Sequence, residues 1–420
     1  MFLHSANRAA ATPAAPAANL AITAVRRRPS LDFSLTGLVY CGMMLFMGLA
    51  AINTQANLLF GVFGLMIGIL LVSGVISRLV LRRVRVTRDL PEHGLVGKPV
   101  GITYQFFNGK RFWPSFSICL AELDGVEGFT RQPQSYLLHA AAQNTASVPV
   151  EVIPKRRGLH ALGRYQISTS FPFGFIKRAV ERRQNDTMLV LPAVARVDPK
   201  LLAMCMPAEK TGPTMRPKRG GVDEFYGLKE HRRGENPRFI YWRRSARTGV
   251  LVAKEMTQVA PPRLLLLVDT FLQDRTRAEH AGVEKCIAMA ASLAGAALDQ
   301  GLSVGLHVWS NEWTGIPATR GKRQRRDVMA MLARLALNTE KDAQALMESA
   351  QAVLESGTTA LLLTSRQIEL GLSDQLRGGT VIVSANSTQA DTWFKFEPSI
   401  NFSYCMPTDQ EAGMLSSGER

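Results

Sequence analysis

The chain has 420 residues, long enough for two or three domains with separate cores. It carries 50 Lys and Arg against 34 Asp and Glu, a formal charge of +16, and is 46% hydrophobic. Its five cysteines (Cys41, Cys119, Cys205, Cys286, Cys405) form no CxxC pair, and its histidines show no HExxH or HxH spacing. Neither a disulfide framework nor a histidine metal site is suggested by this spacing.

Residues 1–30 open the chain as an Ala- and Pro-rich stretch without apolar periodicity. They read as a disordered tail, not a cleaved signal peptide. From Phe33 to Ser77 there is no Asp, Glu, Lys or Arg, although 20% of the chain is charged. One membrane crossing needs roughly 20 apolar residues, so the gap fits two. Helices are expected near Leu35–Ile52 and Leu58–Leu81, with a polar turn over 53–57, inside a hairpin unit of 31–85. A buried hairpin in a soluble core is the competing reading, but core helices seldom lose every charge over two lengths. Arg26, Arg27 and Arg28 precede the pair, and Arg78, Arg82, Arg83, Arg85 and Arg88 follow it. The positive-inside rule places both termini in the cytoplasm, at the inner (cytoplasmic) membrane of a bacterium.

Residues 86–195 change to short alternating segments. Strands are expected at 100–106, 115–120, 146–152 and 165–170, making an antiparallel β-sandwich. Asn108-Gly109 reads as a hairpin turn and Arg156-Arg157-Gly158 as a turn. Phe171-Pro172-Phe173-Gly174-Phe175 reads as an aromatic cluster closing the sandwich edge. From 261 to 390, apolar strands at 264–268, 304–309, 359–363 and 380–384 alternate with helices. The helices are marked by Val283, Ile287, Ala290, Ala294 and Leu298, by 322–337, and by 342–355. This is the pattern of an α/β domain whose parallel sheet is covered on both faces, and Asp269 ends its first strand. Ligands of such sheets sit at the carboxyl ends of the strands. Residues 391–420 read as a C-terminal extension.

The densest chemistry lies between the domains, over 196–260. Between Arg216 and Glu255 there are eleven Lys/Arg and five Asp/Glu, interleaved with Trp242, Tyr241 and several glycines. The arginines can fork onto carboxylates, stack on aromatics or bind phosphate. The carboxylates of Asp223, Glu224, Glu230 and Glu235 suggest local pairing. His231 with Glu230 and Asp223 is the nearest approach to a catalytic constellation and reads as structural or solvated.

This segment resembles a bacterial family, the domain of unknown function 58. The family pattern is E-F-x-x-L-R-x-Y-x-x-G-D-x-x-R-x-I-x-W-x-x-S-A-R. It is matched by Glu224, Phe225, Leu228, Gly234, Arg238, Ile240, Trp242, Ser245, Ala246 and Arg247. Lys229 and Glu235 keep the charge of the family's arginine and aspartate, and His231 stands in place of its tyrosine. The resemblance implies a membrane-tethered protein whose last domain is like a von Willebrand factor A domain, a doubly wound sheet. It also implies an adaptor working beside an AAA+ ATPase of the MoxR type. Von Willebrand A domains hold Mg²⁺ through Asp-x-Ser-x-Ser; here the run is Asp269-Thr270-Phe271-Leu272-Gln273. Phenylalanine has no oxygen for a hard cation, so the site reads as degenerate: no metal and no cofactor is expected.

No Gly-x-Ser-x-Gly elbow or Walker A loop appears, so the chain is not expected to be an enzyme. A nucleic-acid-binding membrane protein and an uncharacterised hydrolase are the alternatives. Against the first, no zinc finger or recognition helix accompanies the charge, and anionic lipid attracts each nearby Lys or Arg by about 1 kcal/mol. Trp242 and Arg247 are expected to pack between the domains, so that replacing either destabilises the fold. The expected partners are therefore the lipid bilayer and an ATPase, with no specific nucleic acid; the oligomeric state is not legible.

Overall fold

A computed structural model describes residues 30–205, 224–232, 236–257, 262–274, 276–354, 358–366 and 380–402. Of the tail read over 1–30, only Ser30 is described, and it opens strand β1 (Ser30–Phe33). Helix α1 (Leu35–Thr54) follows, capped by Ser34, whose hydroxyl accepts from Gly37 N at 3.0 Å. Gln55, in the left-handed region at φ 50°, ends it. Helix α2 (Asn57–Leu81) returns antiparallel to it. At 1.5 Å per residue the two helices are roughly 30 and 37 Å long, enough to cross a bilayer core.

Length and composition admit a third span, Arg277–Asp299. Its apolar window is 78% buried inside the fold, against 17% and 6% for α1 and α2. A helix hydrophobic all round and buried by its own domain is a core helix, so the candidate membrane anchor is the N-terminal pair.

The strand-rich region follows as β2 (Val84–Asp89), β3 (His93–Leu95), β4 (Val100–Asn108), β5 (Ser115–Glu122), β6 (Gln134–Ala140), β7 (Thr145–Val152), β8 (Gly158–Thr169) and β9 (Ile176–Leu191). They form two sheets, β2-β4-β7 and β1-β9-β8-β5-β6, with β3 beside β9. Ile102, Tyr104 and Phe106 alternate inward from β4 and meet Ile118, Leu120, Leu162, Ile167 and Met188 from the other sheet. Asn108-Gly109 is not a hairpin turn. Strands β4 and β5 belong to different sheets, and the chain crosses the core edge there. The Asn108 side chain is fully buried and donates to the carbonyls of Trp113 and Ala140, both at 3.1 Å, so it staples the crossover.

The sandwich core encloses one charged cluster. Arg88 donates to the carbonyls of Leu162, Gly163 and Gln184, and its Nε lies 3.5 Å from both Glu122 and Asp186. The Tyr104 hydroxyl donates to Glu122 Oε1 at 3.0 Å. Burial lifts the Glu122 carboxyl to about 7, outweighing the nearby Arg88 charge, from an ordinary 4.5. Between those values the folded chain holds a proton that the unfolded chain releases. The contribution of Glu122 is therefore complete below about 4.5 and is lost as pH rises through about 7. Glu122→Gln keeps an acceptor for Tyr104 and removes the titration. The melting temperature of the variant is expected to gain on the wild type from about pH 5 to pH 8; a constant difference across that range contradicts the assignment.

After β10 (Arg196–Val197), α3 (Pro199–Cys205), β11 (Glu224–Glu230), α4 (Trp242–Thr248) and β12 (Val252–Thr257), the α/β region begins. It comprises β13 (Arg263–Val268), α5 (Arg277–Asp299), β14 (Ser303–Ser310), β15 (Glu312–Thr319), α6 (Lys322–Arg334), α7 (Ala343–Val353), β16 (Thr358–Thr364), β17 (Thr380–Ser384), α8 (Thr388–Trp393) and β18 (Phe394–Lys395). The sheet order is β15-β14-β13-β16-β17, parallel except for β15. Leu264, Leu266 and Val268 face α5 and α6, while Leu265 and Leu267 face α7. That two-sided burial is why β13 reads as an unbroken apolar run.

The packing runs across the expected boundaries at 195/196 and 390/391, and the one at 260/261 lies outside the described residues. Helix α3 sends Leu201, Leu202 and Cys205 into the α/β core, and β10 pairs with β18. The boundary at 390/391 falls inside α8. Past it, Phe396, Ile400 and Phe402 lie on the sandwich core. Arg157, expected in a turn, is a bolt between the domains. It pairs with Glu284 of α5 and donates to the carbonyls of Leu332 and Leu335 at 2.9 and 2.6 Å.

Candidate functional site

The segment over 224–257 folds on itself. Strands β11 and β12 pair antiparallel, Glu224 with Thr257 through Glu230 with Val252. Between them, Asn236 caps a short 3₁₀ turn, Pro237–Phe239, and α4 follows. Ser245 is the pin. It is buried, its hydroxyl donates toward Tyr241 O at 3.1 Å, and it accepts from Val252 N at 2.9 Å, tying α4 to β12. Ile240 is buried and bridges to Ala253. Gly249 ends α4 at φ 72°, where a side chain would be strained. Ser245 and Ile240 are therefore explained by folding alone.

The other matched residues point outward. Trp242 is 63% exposed, and Arg238, Ala246 and Arg247 are exposed with it. This corrects the expectation that Trp242 and Arg247 pack between domains: α4 is one short helix held by a single serine, and it buries only that side. Leu228, Val250 and Leu251 are also exposed. Arg243 and Arg244 complete a basic rim, and Lys254 lies over the Tyr241 ring at 5.1 Å. Among the described residues, no carboxylate pairs with Arg238, Arg243, Arg244 or Arg247. Gly234, Glu235 and Asp223 lie outside the described residues, as do the side chains of Glu224 and Phe225. His231 is half-buried and its backbone N–H donates to Leu251 O, while Glu230 is exposed.

A second polar cluster lies at the carboxyl end of β13. Asp269 is buried, which raises its carboxyl above the usual range. Its Oδ1 accepts from Phe271 N at 3.0 Å and its Oδ2 from Thr364 Oγ1 at 2.8 Å. Thr270 Oγ1 donates to Trp309 O at 3.2 Å and accepts from Asn338 Nδ2 at 2.7 Å. The Arg366 guanidinium lies 4.4 Å from the Phe271 ring centroid, and its charge acts on Asp269. Gln273 is exposed. These donors do not fit Mg²⁺, which wants near-octahedral oxygen ligands. Both Asp269 oxygens and Thr270 Oγ1 are engaged internally, and an arginine supplies the local positive charge. Among the described residues, no three His, Cys, Asp or Glu side chains are grouped to share an ion.

With that geometry in place, comparison with known families is informative at one stretch. A family model described as "Protein of unknown function DUF58" matches residues 228–380. The similarity starts in β11, takes in α4 and β12, and runs to the first residue of β17. It therefore covers both the exposed Trp242 surface and the Asp269 end of the sheet, but not the two N-terminal apolar helices or the sandwich. No curated protein matches the chain.

Proposed function

We propose that the protein is a membrane-anchored interaction module, non-catalytic and without a cofactor, that presents the Trp242 surface to a protein partner. The observation that carries this is the exposure of Trp242 among arginines that pair with no carboxylate among the described residues, in the DUF58-like stretch. Trp and Arg dominate binding energy at protein interfaces because they bury large area and form several hydrogen bonds. A segment pinned by Ser245 and Ile240 holds them pre-oriented. The partner in this reading is an AAA+ ATPase of the MoxR type, and the α/β domain is of the von Willebrand A kind with its cation replaced by Arg366. The basic flanks of the apolar pair support an inner-membrane placement with both termini in the cytoplasm.

Trp242→Ala tests this. An exposed side chain contributes little to folding, so the melting temperature should stay within the equivalent of about 0.5 kcal/mol. Recovery of an AAA+ ATPase by crosslinked pulldown from membranes should fall about tenfold or more, as for an interface anchor. Loss of fold in the variant, or an ATPase yield equal to wild type, overturns the assignment. The same arginine cluster favours one second reading, nucleic-acid binding, which would show as duplex affinity that falls steeply with salt.

A further inference from the structure

The end of the sandwich that meets the helical hairpin carries features that neither the fold nor the partner surface uses. The β8–β9 turn, Phe171–Phe175, does more than close a sheet edge. Phe175 stacks on Tyr40 of α1 with ring centroids 4.1 Å apart, and its carbonyl accepts from Ser34 N at 3.1 Å. Gly37 is required there, because a Cβ would collide with that carbonyl. Ile176 reaches Gly74 of α2. Gly74 precedes Arg78, the first charge after the apolar gap, by four residues, so the turn stands about 6 Å further into the apolar zone. Phe173, at the tip, is half exposed and stacks on Phe175 at 5.7 Å.

A second loop wraps the other side of the α2 end. Lys110 Nζ donates to the carbonyls of Leu79 and Val80 at 3.2 and 2.8 Å, and Gly109 N donates to Arg83 O at 3.0 Å. Ser115 Oγ donates to Val80 O at 2.9 Å. This clamp holds Phe112 and Trp113 at the level where α2 leaves its apolar stretch, and they are 76% and 70% exposed. Arg82, Arg83 and Arg111 are exposed around them.

We propose that this end of the sandwich is a phospholipid-binding collar: Phe112, Trp113 and Phe173 sit in the interfacial layer of the bilayer, and Arg82, Arg83 and Arg111 face its anionic headgroups. Aromatic rings favour that layer because it is apolar on one side and wet on the other, and exposed guanidiniums fork onto phosphate. The collar fixes the sandwich, and through Arg157 the α/β domain, at a set height and tilt above the membrane. The proposal rests on the hairpin crossing a bilayer and is independent of the identity of the partner.

The test uses the full chain labelled with 5-fluorotryptophan, in nanodiscs of mixed phosphatidylglycerol and phosphatidylcholine. The five tryptophans give five ¹⁹F resonances, and Trp113→Phe assigns one of them. Trp113 is expected to be broadened by a shallow nitroxide lipid and spared by a soluble gadolinium chelate, with exposed Trp242 doing the reverse. A Trp113 signal that follows Trp242, or that answers to neither reagent, overturns the collar. Arg82→Gln with Arg111→Gln should reduce the preference for phosphatidylglycerol among co-purified lipids about fivefold; an unchanged preference removes the headgroup contact. Failure of the chain to enter the discs at all is read separately, by recovery, and defeats the anchor itself.

Discussion

Arg88→Met is expected to cost the sandwich about 3–5 kcal/mol, because it leaves three buried carbonyls without their donor and removes the charge that lets the Glu122 and Asp186 carboxylates ionise there. The side chains of Arg88 and Glu122 are both fully buried, and Asp186 beside them is mostly so. One guanidinium serves two carboxylates and the carbonyls of Leu162, Gly163 and Gln184. Methionine fills much of the volume but supplies no donor, so three carbonyls and two carboxylates lose their partner together. Urea unfolding followed by the signals of the sandwich should show the loss directly. Glu122→Gln in the same chain should recover part of it at about pH 8, since the neutral amide replaces a carboxyl that must otherwise take up a proton to stay buried. A double-mutant cycle then gives a coupling energy of about 1 kcal/mol or more. A loss below about 1 kcal/mol for Arg88→Met, or strict additivity with Glu122→Gln, contradicts this account of the core.

Arg157→Met should produce the second large effect, of about 3–5 kcal/mol on the stability of the joined domains. Its partner Glu284 lies on α5, and the carbonyls of Leu332 and Leu335 close the last turn of α6 and the residues after it. Removing the fork strands the Glu284 charge at the domain junction and leaves the end of α6 without its cap. Because the contact joins two cores, the expected signature is loss of cooperativity as well as stability: the sandwich and the α/β domain should melt as two transitions. Arg157→Lys keeps one charge but cannot fork, and should fall between the two. A single transition at the wild-type temperature in Arg157→Met contradicts the role of bolt.

Neither arginine was legible as a keystone. Arg88 sits among Arg82, Arg83 and Arg85, and the sequence reads all of them as the basic flank of a membrane helix. Strand alternation separates them: the side of β2 that carries Val84 and Val86 carries Arg88 inward as well. That period-two pattern was present in the sequence, but an arginine at the third inward position has no meaning until its partners, 34 and 98 residues away, are placed. Arg157 reads as part of a turn for the same reason, since its partners lie more than 120 residues on.

What was legible had a period or a composition of its own. The charge gap placed α1 and α2 to within two residues of their observed ends. The apolar runs gave β13, β14, β16 and β17 because burial on both faces demands them. Strand β15 escaped notice, with its Gly315 and Pro317; a proline is tolerated there because β15 is an edge strand. The Asn108-Gly109 pair misled for a related reason. It carries hairpin residues, yet the next strand pairs elsewhere, and local turn chemistry cannot say to which sheet the chain goes. In the DUF58-like stretch the matched residues were visible as a set. Their division into the folding pins Ser245 and Ile240 and the outward-facing Trp242, Arg238 and Arg247 was not, because a short helix with one buried side has no amphipathic period to read.

The central claim is that the Trp242 surface meets a protein partner at the membrane. Its most direct test is a photoreactive p-benzoylphenylalanine at position 242, irradiated in native membranes, with the same residue at exposed Leu138 of the sandwich as control. The account predicts a covalent adduct to an AAA+ ATPase from position 242 and none from 138. Repeated irradiation that yields no ATPase adduct at 242, or adducts equally from both positions, contradicts it.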